Sequence, residues 1–153
     1  MTVWRITHER YQADAFSGLG AERYGGRFNS PGHRLVYTAS SISLALLELL
    51  VQANSRERLK QHVCIPATFD GEWVEQPSVD ALPAGWNARP YGRASQAFGD
   101  QWLREQRSLV LSVPSIVNPY ERNCLINPAH PYFGRIELGE PVPAPFDSRL
   151  ARQ

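Results

Sequence analysis

From Ile42 to Val51 the chain reads Ile-Ser-Leu-Ala-Leu-Leu-Glu-Leu-Leu-Val, and Glu48 is the one ionisable residue in that stretch. A helix that is apolar around most of its circumference is expected to be buried. An ionised carboxylate in such surroundings is strongly disfavoured unless it is paired or hydrogen-bonded. Glu48 therefore either pairs with a buried arginine or faces a cleft where a ligand arrives. Both alternatives lead back to Arg27. It stands in Gly-Gly-Arg-Phe-Asn (25–29), inside a stretch from Ser17 to Arg34 with five glycines and a Pro-Gly. A segment of that kind reads as a long loop, and loops of such length in compact domains are usually functional or mobile.

The rest of the composition narrows the function classes. The length of 153 residues fits one domain, 1–153, with a real hydrophobic core. With 42% hydrophobic and 20% charged residues the chain is globular, not disordered. A net charge of +1 argues against wholesale capture of nucleic acid or an anionic membrane. Lys60 is the single lysine among the 16 Lys and Arg residues, and the arginines form no basic run with interleaved aromatics. Cys64 and Cys124 lie far apart, which suggests neither a disulfide framework nor a zinc ribbon. His8, His33, His62 and His130 show no metal-binding spacing, so no metal site is expected. Arg5, His8, Glu9 and Arg10 occupy the place where a signal peptide needs an apolar segment. The longest apolar stretch is too short to span a bilayer. These features predict a cytoplasmic protein with reduced thiols and no membrane partner.

Along the chain, Thr2–Thr7 reads as a strand with Val3, Arg5 and Thr7 on one face and Trp4 and Ile6 on the other. Tyr11–Phe16 is a short helical turn and Arg34–Ala39 a second strand. Ser40 or Ser41 caps the Glu48 helix, which runs to about Ala53. His62–Phe69 alternates as a strand, with Pro66 placing it near an edge or bulge. Asp70–Pro90 is turn-rich, with Trp73 and Trp86 capping the core. Arg93–Arg107 is an amphipathic helix, Leu109–Val113 an apolar strand, Asn118–Pro131 an irregular loop and Tyr132–Leu138 a last strand. Pro141, Pro143 and Pro145 make an extended segment before an arginine-containing tail. Strands and helices do not alternate regularly, so the expected fold is α+β with a split, mainly antiparallel sheet. No Gly-x-Gly-x-x-Gly turn is present to open a doubly wound dinucleotide fold.

Five segments, in order along nearly the whole chain, carry a resemblance. They are Gly-Gly-Arg-Phe-Asn (25–29), Val-Tyr-Thr-Ala (36–39), Ala-Leu-Leu-Glu (45–48), Val-Pro-Ser (113–115) and Glu-Arg-Asn-Cys-Leu-Ile-Asn-Pro-Ala-His (121–130). Together they resemble the RES-domain family, toxins of bacterial toxin–antitoxin pairs. That resemblance implies an ADP-ribosyltransferase-like fold and NAD as substrate rather than as a resident cofactor. It implies cleavage at the nicotinamide–ribose bond, with a helix-turn-helix (Xre-type) antitoxin as partner and a homodimer as a possible assembly. The family's named triad falls on Arg27, Glu48 and Ser115 as catalytic residues. Tyr37 is implied as an aromatic of the nucleotide site, and Arg5 matches a second arginine near the ligand.

Each of these residues also has a plainer role open to it. Arg27 suits a bidentate pyrophosphate contact or could bridge parts of the fold. Glu48 is either half of a buried ion pair or a fixed charge that stabilises an oxocarbenium-like state. Tyr37 stacks on the ligand or packs in the core. Ser115, at a strand end after Pro114, meets a phosphate or ribose; without Gly-x-Ser-x-Gly it does not read as a serine nucleophile. Arg5 is either a structural partner of Glu48 or a phosphate ligand. Asn123, Asn127 and Pro128 are expected to fold the loop after Ser115 rather than touch substrate. Three functions compete: an NAD-consuming enzyme that drains the pool or passes ADP-ribose to a protein, a non-catalytic partner-binding module, and a nucleic-acid-acting toxin. The charge pattern disfavours the third. The lone Glu48 and the arginine-bearing glycine loop disfavour the second.

Overall fold

Alternation from Thr2 onward produces strand β1 (Thr2–His8), which runs antiparallel to β3 (His62–Thr68) along its whole length, Thr2 opposite Thr68 and His8 opposite His62. The computed structural model describes residues 1–52 and 60–151. Its remaining strands are β2 (Val36–Ala39), β4 (Val74–Glu75), β5 (Val110–Pro114), β6 (Arg122–Ile126), β7 (Glu137–Leu138) and β8 (Val142–Pro143). They form one sheet in the order β4-β5-β6-β2-β1-β3-β7, with β8 also on β3. Every pairing is antiparallel except that of β4 with β5. The fold is thus α+β and mainly antiparallel, but the sheet is continuous where a split one was expected. The division survives as a narrowing, because β1 and β2 share a single register pair, Trp4 opposite Ala39.

Residues directly opposite one another across strands lie on the same face. The registers therefore put Trp4, Tyr37, Ala39, Leu111, Val113, Asn123 and Leu125 on one face. Arg5 lies on the other, with Val3, Val36, Cys124 and Ile126. Helix α2 (Ile42–Gln52) rests on the first face through Leu44 and Ala45, against Ile6 and Ala39. Helix α3 (Arg93–Glu105) covers the same face further along, where Trp102 and Leu103 meet Leu111, Val113 and Leu125. The opposite face is closed by Ala15, Phe16 and Phe69 over Val3, Val36, Ile65 and Val110. Trp73 packs against this second cluster and Trp86 against the α3 cluster, as expected of core-capping aromatics.

Several sequence expectations are corrected. Only Leu44 and Ala45 of α2 are buried, while Leu47 is 37% and Val51 65% exposed. Among the described residues α2 packs on the sheet through one side only, so apolar content does not translate into burial all round. The expected helix end at Ala53, and Arg152 of the tail, lie outside the described residues. The stretch 17–34 is not all loop: α1 (Leu19–Tyr24) lies within it, bracketed by Gly18 at φ +74° and Gly25 at φ +71°. The glycines there end a short helix rather than exclude one. The supposed loop 118–131 contains β6, which sits between β5 and β2. Its Cys124-Leu125-Ile126 run is buried on both faces, so it shows no alternation to read. In the segment expected as a last strand, Phe133–Arg135 is a 3₁₀ turn and only Glu137–Leu138 pairs. Pro66 is tolerated in β3 because its outer neighbours are two short pieces, β7 at Ala67–Thr68 and β8 at Val63–Cys64, and its missing N–H falls between them.

Helix α3 approaches the glycine-rich segment so closely that a Cβ at Gly99 would lie 1.7 Å from the Phe28 carbonyl oxygen. Gly99→Ala is therefore expected to destabilise the fold by on the order of 3 kcal/mol, the cost of overpacking against a backbone that cannot retreat. Urea unfolding measures it, and parent-like stability would mean that α3 does not seat on Phe28.

Candidate functional site

The loop that carries Arg27 is fixed from below by Asn29, which is fully buried. Asn29 Nδ2 donates to the carbonyls of Ala21 (2.8 Å) and His33 (3.0 Å), and its Oδ1 accepts from the Tyr37 hydroxyl at 2.7 Å. The Tyr37 oxygen in turn accepts from Phe28 N at 3.1 Å. A Cβ on Gly26 would come within 2.5 Å of that oxygen, which is why the residue before Arg27 carries none. From the other side α3 holds the loop. Gln96 Nε2 donates to the carbonyls of Gly26 and Asn29, and the Asp100 carboxylate accepts from Ser30 N and Ser30 Oγ. Burial pushes the Tyr37 phenol well above its ordinary value, with the Phe28 N–H opposing. Tyr37 is thus neutral and its hydroxyl is committed to the loop, so only its ring is left for a ligand.

Arg27 leans from this loop over the segment that precedes α3. Its Nη1 donates to the carbonyls of Trp86 (3.0 Å) and Ala88 (2.7 Å), and its Cζ lies 5.7 Å from the Tyr91 ring centre. Burial, then the neighbouring charge of Arg89, draw its basicity below the usual arginine value, while Glu48, Tyr37 and Tyr91 pull the other way. Glu48 and Arg27 thus sense one another's charge, but among the described residues neither makes an ion pair. Arg89 Nη2 donates to the Ile116 carbonyl at 2.6 Å, tying this segment to the turn beyond Ser115.

Glu48, half-buried on α2, is satisfied by neutral donors. Its Oε1 accepts from Ser115 Oγ at 2.8 Å and from Asn123 Nδ2 at 2.6 Å. Among the described residues no bond is made to Oε2, and none of their buried side-chain oxygens lacks a partner, so Oε2 reaches solvent. Ser115 is buried, and its oxygen accepts from the backbone N–H groups of Val117 and Asn118, each at 3.1 Å. Its one proton is consequently directed at Glu48. The same turn is braced by Glu121, which accepts from Asn118 Nδ2 (2.8 Å) and from Ser41 Oγ (2.7 Å). Ser41 also caps α2, accepting from Leu44 N at 3.0 Å.

Of the sequence-predicted residues, Arg27, Tyr37, Glu48 and Ser115 are thus brought to one face of the sheet. Arg5 is not placed with them. It projects from the opposite face, donating from Nε to the Ala15 carbonyl (3.1 Å) and from Nη1 to the Tyr37 carbonyl (3.0 Å). It spans the narrow β1–β2 junction and is not the partner of Glu48; burial lowers its basicity. Asn127, as expected, serves the fold, donating to the Leu103 carbonyl and accepting from Ala129 N. Asn123 departs from its expected role in a loop: it lies on β6 and bonds Glu48. Gln96, Asp100, Arg89 and Tyr91 gave no sequence signal, because each acts through a tertiary approach of α3 or its leading segment. Among the described residues no three His, Cys, Asp or Glu side chains are grouped to hold a metal. A concavity lined by Lys60, Val63 and Phe146 lies at the outer edge of β3 and includes none of the site residues. No helix among the described residues is long and apolar enough to cross a membrane.

The RES domain sequence model matches residues 2–147. The chain is 40% identical over 157 residues to the Prs ADP-ribosylating toxin of Sphingobium sp. (strain YBL2), covering 99% of this chain and 98% of that protein. It is 36% identical over 151 residues to Toxin Res of Yersinia enterocolitica, covering 98% and 99%. Among solved structures it is similar to a chain of the M. tuberculosis MbcT–MbcA toxin–antitoxin complex, with a TM-score of 0.74 at 21% identity over 93% of this chain and 82% of that one. At that identity the likeness is one of fold.

Tyr37→Phe should cost about 1–3 kcal/mol, because it leaves Asn29 Oδ1 and Phe28 N without their partner inside the structure. The parent should also lose stability as pH rises above the ordinary tyrosine value of 10.0, where the unfolded phenol ionises and releases its proton while the folded one keeps it. Urea titrations of parent and variant between pH 8 and 11 read both effects. The high-pH slope should flatten in the variant.

Proposed function

The chain belongs to the RES-domain family, and we propose that it is the toxin of a toxin–antitoxin pair that breaks the nicotinamide–ribose bond of NAD. The observation that carries this reading is the Glu48 carboxylate, held on one oxygen by neutral donors, open on the other, and near enough to Arg27 for its charge to be felt there without an ion pair. As the glycosidic bond breaks, its electron pair leaves with nicotinamide, whose ring charge is thereby quenched. Positive charge builds on the ribose, and a fixed carboxylate beside it lowers the barrier. The acceptor oxygen then bonds to the anomeric carbon and gives up its proton. Arg27 keeps Nε and Nη2 for the diphosphate, where a planar fork suits paired oxygens. Ser115 works through Glu48, since its proton is directed there, and Tyr37 offers its ring. Arg5 supports the strand that presents Tyr37.

A second reading, transfer of ADP-ribose to a protein, is favoured by the name of the Sphingobium relative. The partner is a helix-turn-helix antitoxin, in keeping with the toxin–antitoxin complex of similar fold, and the cytoplasmic NAD pool is the target; a homodimer would be compatible with both. Purified protein incubated with NAD tests the reaction, with and without phosphate and with cell lysate added. Free ADP-ribose or its phosphorylated form marks pool depletion, and label retained on protein marks transfer. Absence of nicotinamide release in every mixture would sink both.

Glu48→Gln should keep the fold and NAD binding while turnover falls on the order of 10²-fold or more, because charge is removed at nearly constant volume. Near-parent turnover would make Glu48 structural. Arg27→Ala should weaken NAD binding by about 1.5–3 kcal/mol in calorimetry, and Arg27→Lys should recover only part of it. Equal efficiency of the parent on NAD and on nicotinamide mononucleotide would show that Arg27 does not read the diphosphate.

A further inference from the structure

Two donors converge on Glu48 Oε1, and the sequence motifs assign a role to only one of them. We propose that Asn123 is a positioning residue for Glu48, fixing the plane of its carboxylate so that the oxygen free of donors is presented to the substrate. This rests on the NAD-cleavage reading above. An ionised carboxylate only accepts hydrogen bonds, so the Asn123 side chain must present its NH₂ group to Oε1, and its orientation is thereby fixed. The 2.6 Å approach is that of a charge-assisted bond. The two donors differ in what holds them. Ser115 lies at the start of the β5–β6 turn, whereas Asn123 is flanked in register by Ala39 of β2 and Val113 of β5, at the middle of the sheet. The amide is therefore the more rigid anchor, and it reaches Glu48 across 75 residues of sequence.

The last bond of a glutamate side chain is a broad torsion, so the carboxylate plane tilts easily about it. One donor on Oε1 permits that tilt with little loss. Two donors from different elements on the same oxygen resist it, leaving Oε2 on the solvent side. Because both donors are neutral, the orientation is gained without cancelling the charge that the reaction uses. An arginine in place of Asn123 would hold Glu48 as firmly and neutralise it.

The test is Asn123→Ala, with Asn123→Ser as the second variant should the first not fold by thermal unfolding. Turnover of NAD is expected to fall about 10–100-fold while KM stays within about twofold, the signature of a misplaced group rather than a lost substrate contact. The same substitution made on Glu48→Gln should change nothing further, because its effect travels through the carboxylate charge. A rise in KM at unchanged kcat, a loss that multiplies with that of Glu48→Gln, or unchanged turnover would each overturn the proposal. The bond also has a readout independent of NAD. The Asn123 side-chain NH₂ resonance should lie downfield and move in Glu48→Gln; a resonance indifferent to that change overturns the proposal as well. Failure of the parent to release nicotinamide would instead strike the NAD reading.

Discussion

Glu48 sits half-buried on α2 with two hydrogen bonds from neutral donors on a single oxygen. Ser115 and Asn123 both donate to Oε1, and neither brings a countercharge. Much of the architecture around the site serves that arrangement. β6 lies between β5 and β2, which holds Asn123 beneath α2. The β5–β6 turn directs two backbone N–H groups at the Ser115 oxygen and so aims its proton. Ser41 caps α2 and bonds Glu121, which braces the same turn through Asn118. A buried arginine would have satisfied the carboxylate equally well, at the loss of the field it projects.

The arginine side of the site is built on a different plan. Arg27 is borne by a backbone loop clamped from two sides, by Tyr37 and Asn29 from the sheet and by Gln96 and Asp100 from α3. Gly26 and Gly99 are the points at which that clamp closes too tightly for a side chain. Arg27 is thus carried by a segment tied to two elements, although it lies on neither. Such anchoring suits the electrostatic role proposed for it, since a group that must reorganise during reaction loses much of its effect.

The legible part of this protein was the local part. The period-two pattern from Thr2, the amphipathic run through Phe98 and Trp102, and the cap at Ser41 all correspond to elements at or near their expected ends. Arg27, Tyr37, Glu48 and Ser115 were visible as residues, and they share a face. What stayed hidden depended on partners distant in sequence. β6 was hidden because a strand buried on both faces has no alternation. The exposure of Leu47 and Val51 was hidden because burial depends on what lies opposite, and the sequence of α2 does not carry that. Arg5 could be read as a charge near the site, but not as a clamp across the β1–β2 junction. Its partners are backbone carbonyls, which any sequence supplies.

The separation of Glu48 from its two donors, 67 and 75 residues further along, bears on how the protein comes into being. Synthesis delivers the chain N-terminus first, so α2 emerges long before the strand and turn that orient its carboxylate. Until β6 inserts between β5 and β2, Glu48 has neither donor, and the Ser41 cap lacks its bond to Glu121. The hydrogen bonds to Glu48 therefore depend on the long-range pairing of β6 with β5 and β2. A ribosome-bound or truncated chain that stops before Glu121 has the carboxylate and the arginine loop but no means of setting one against the other.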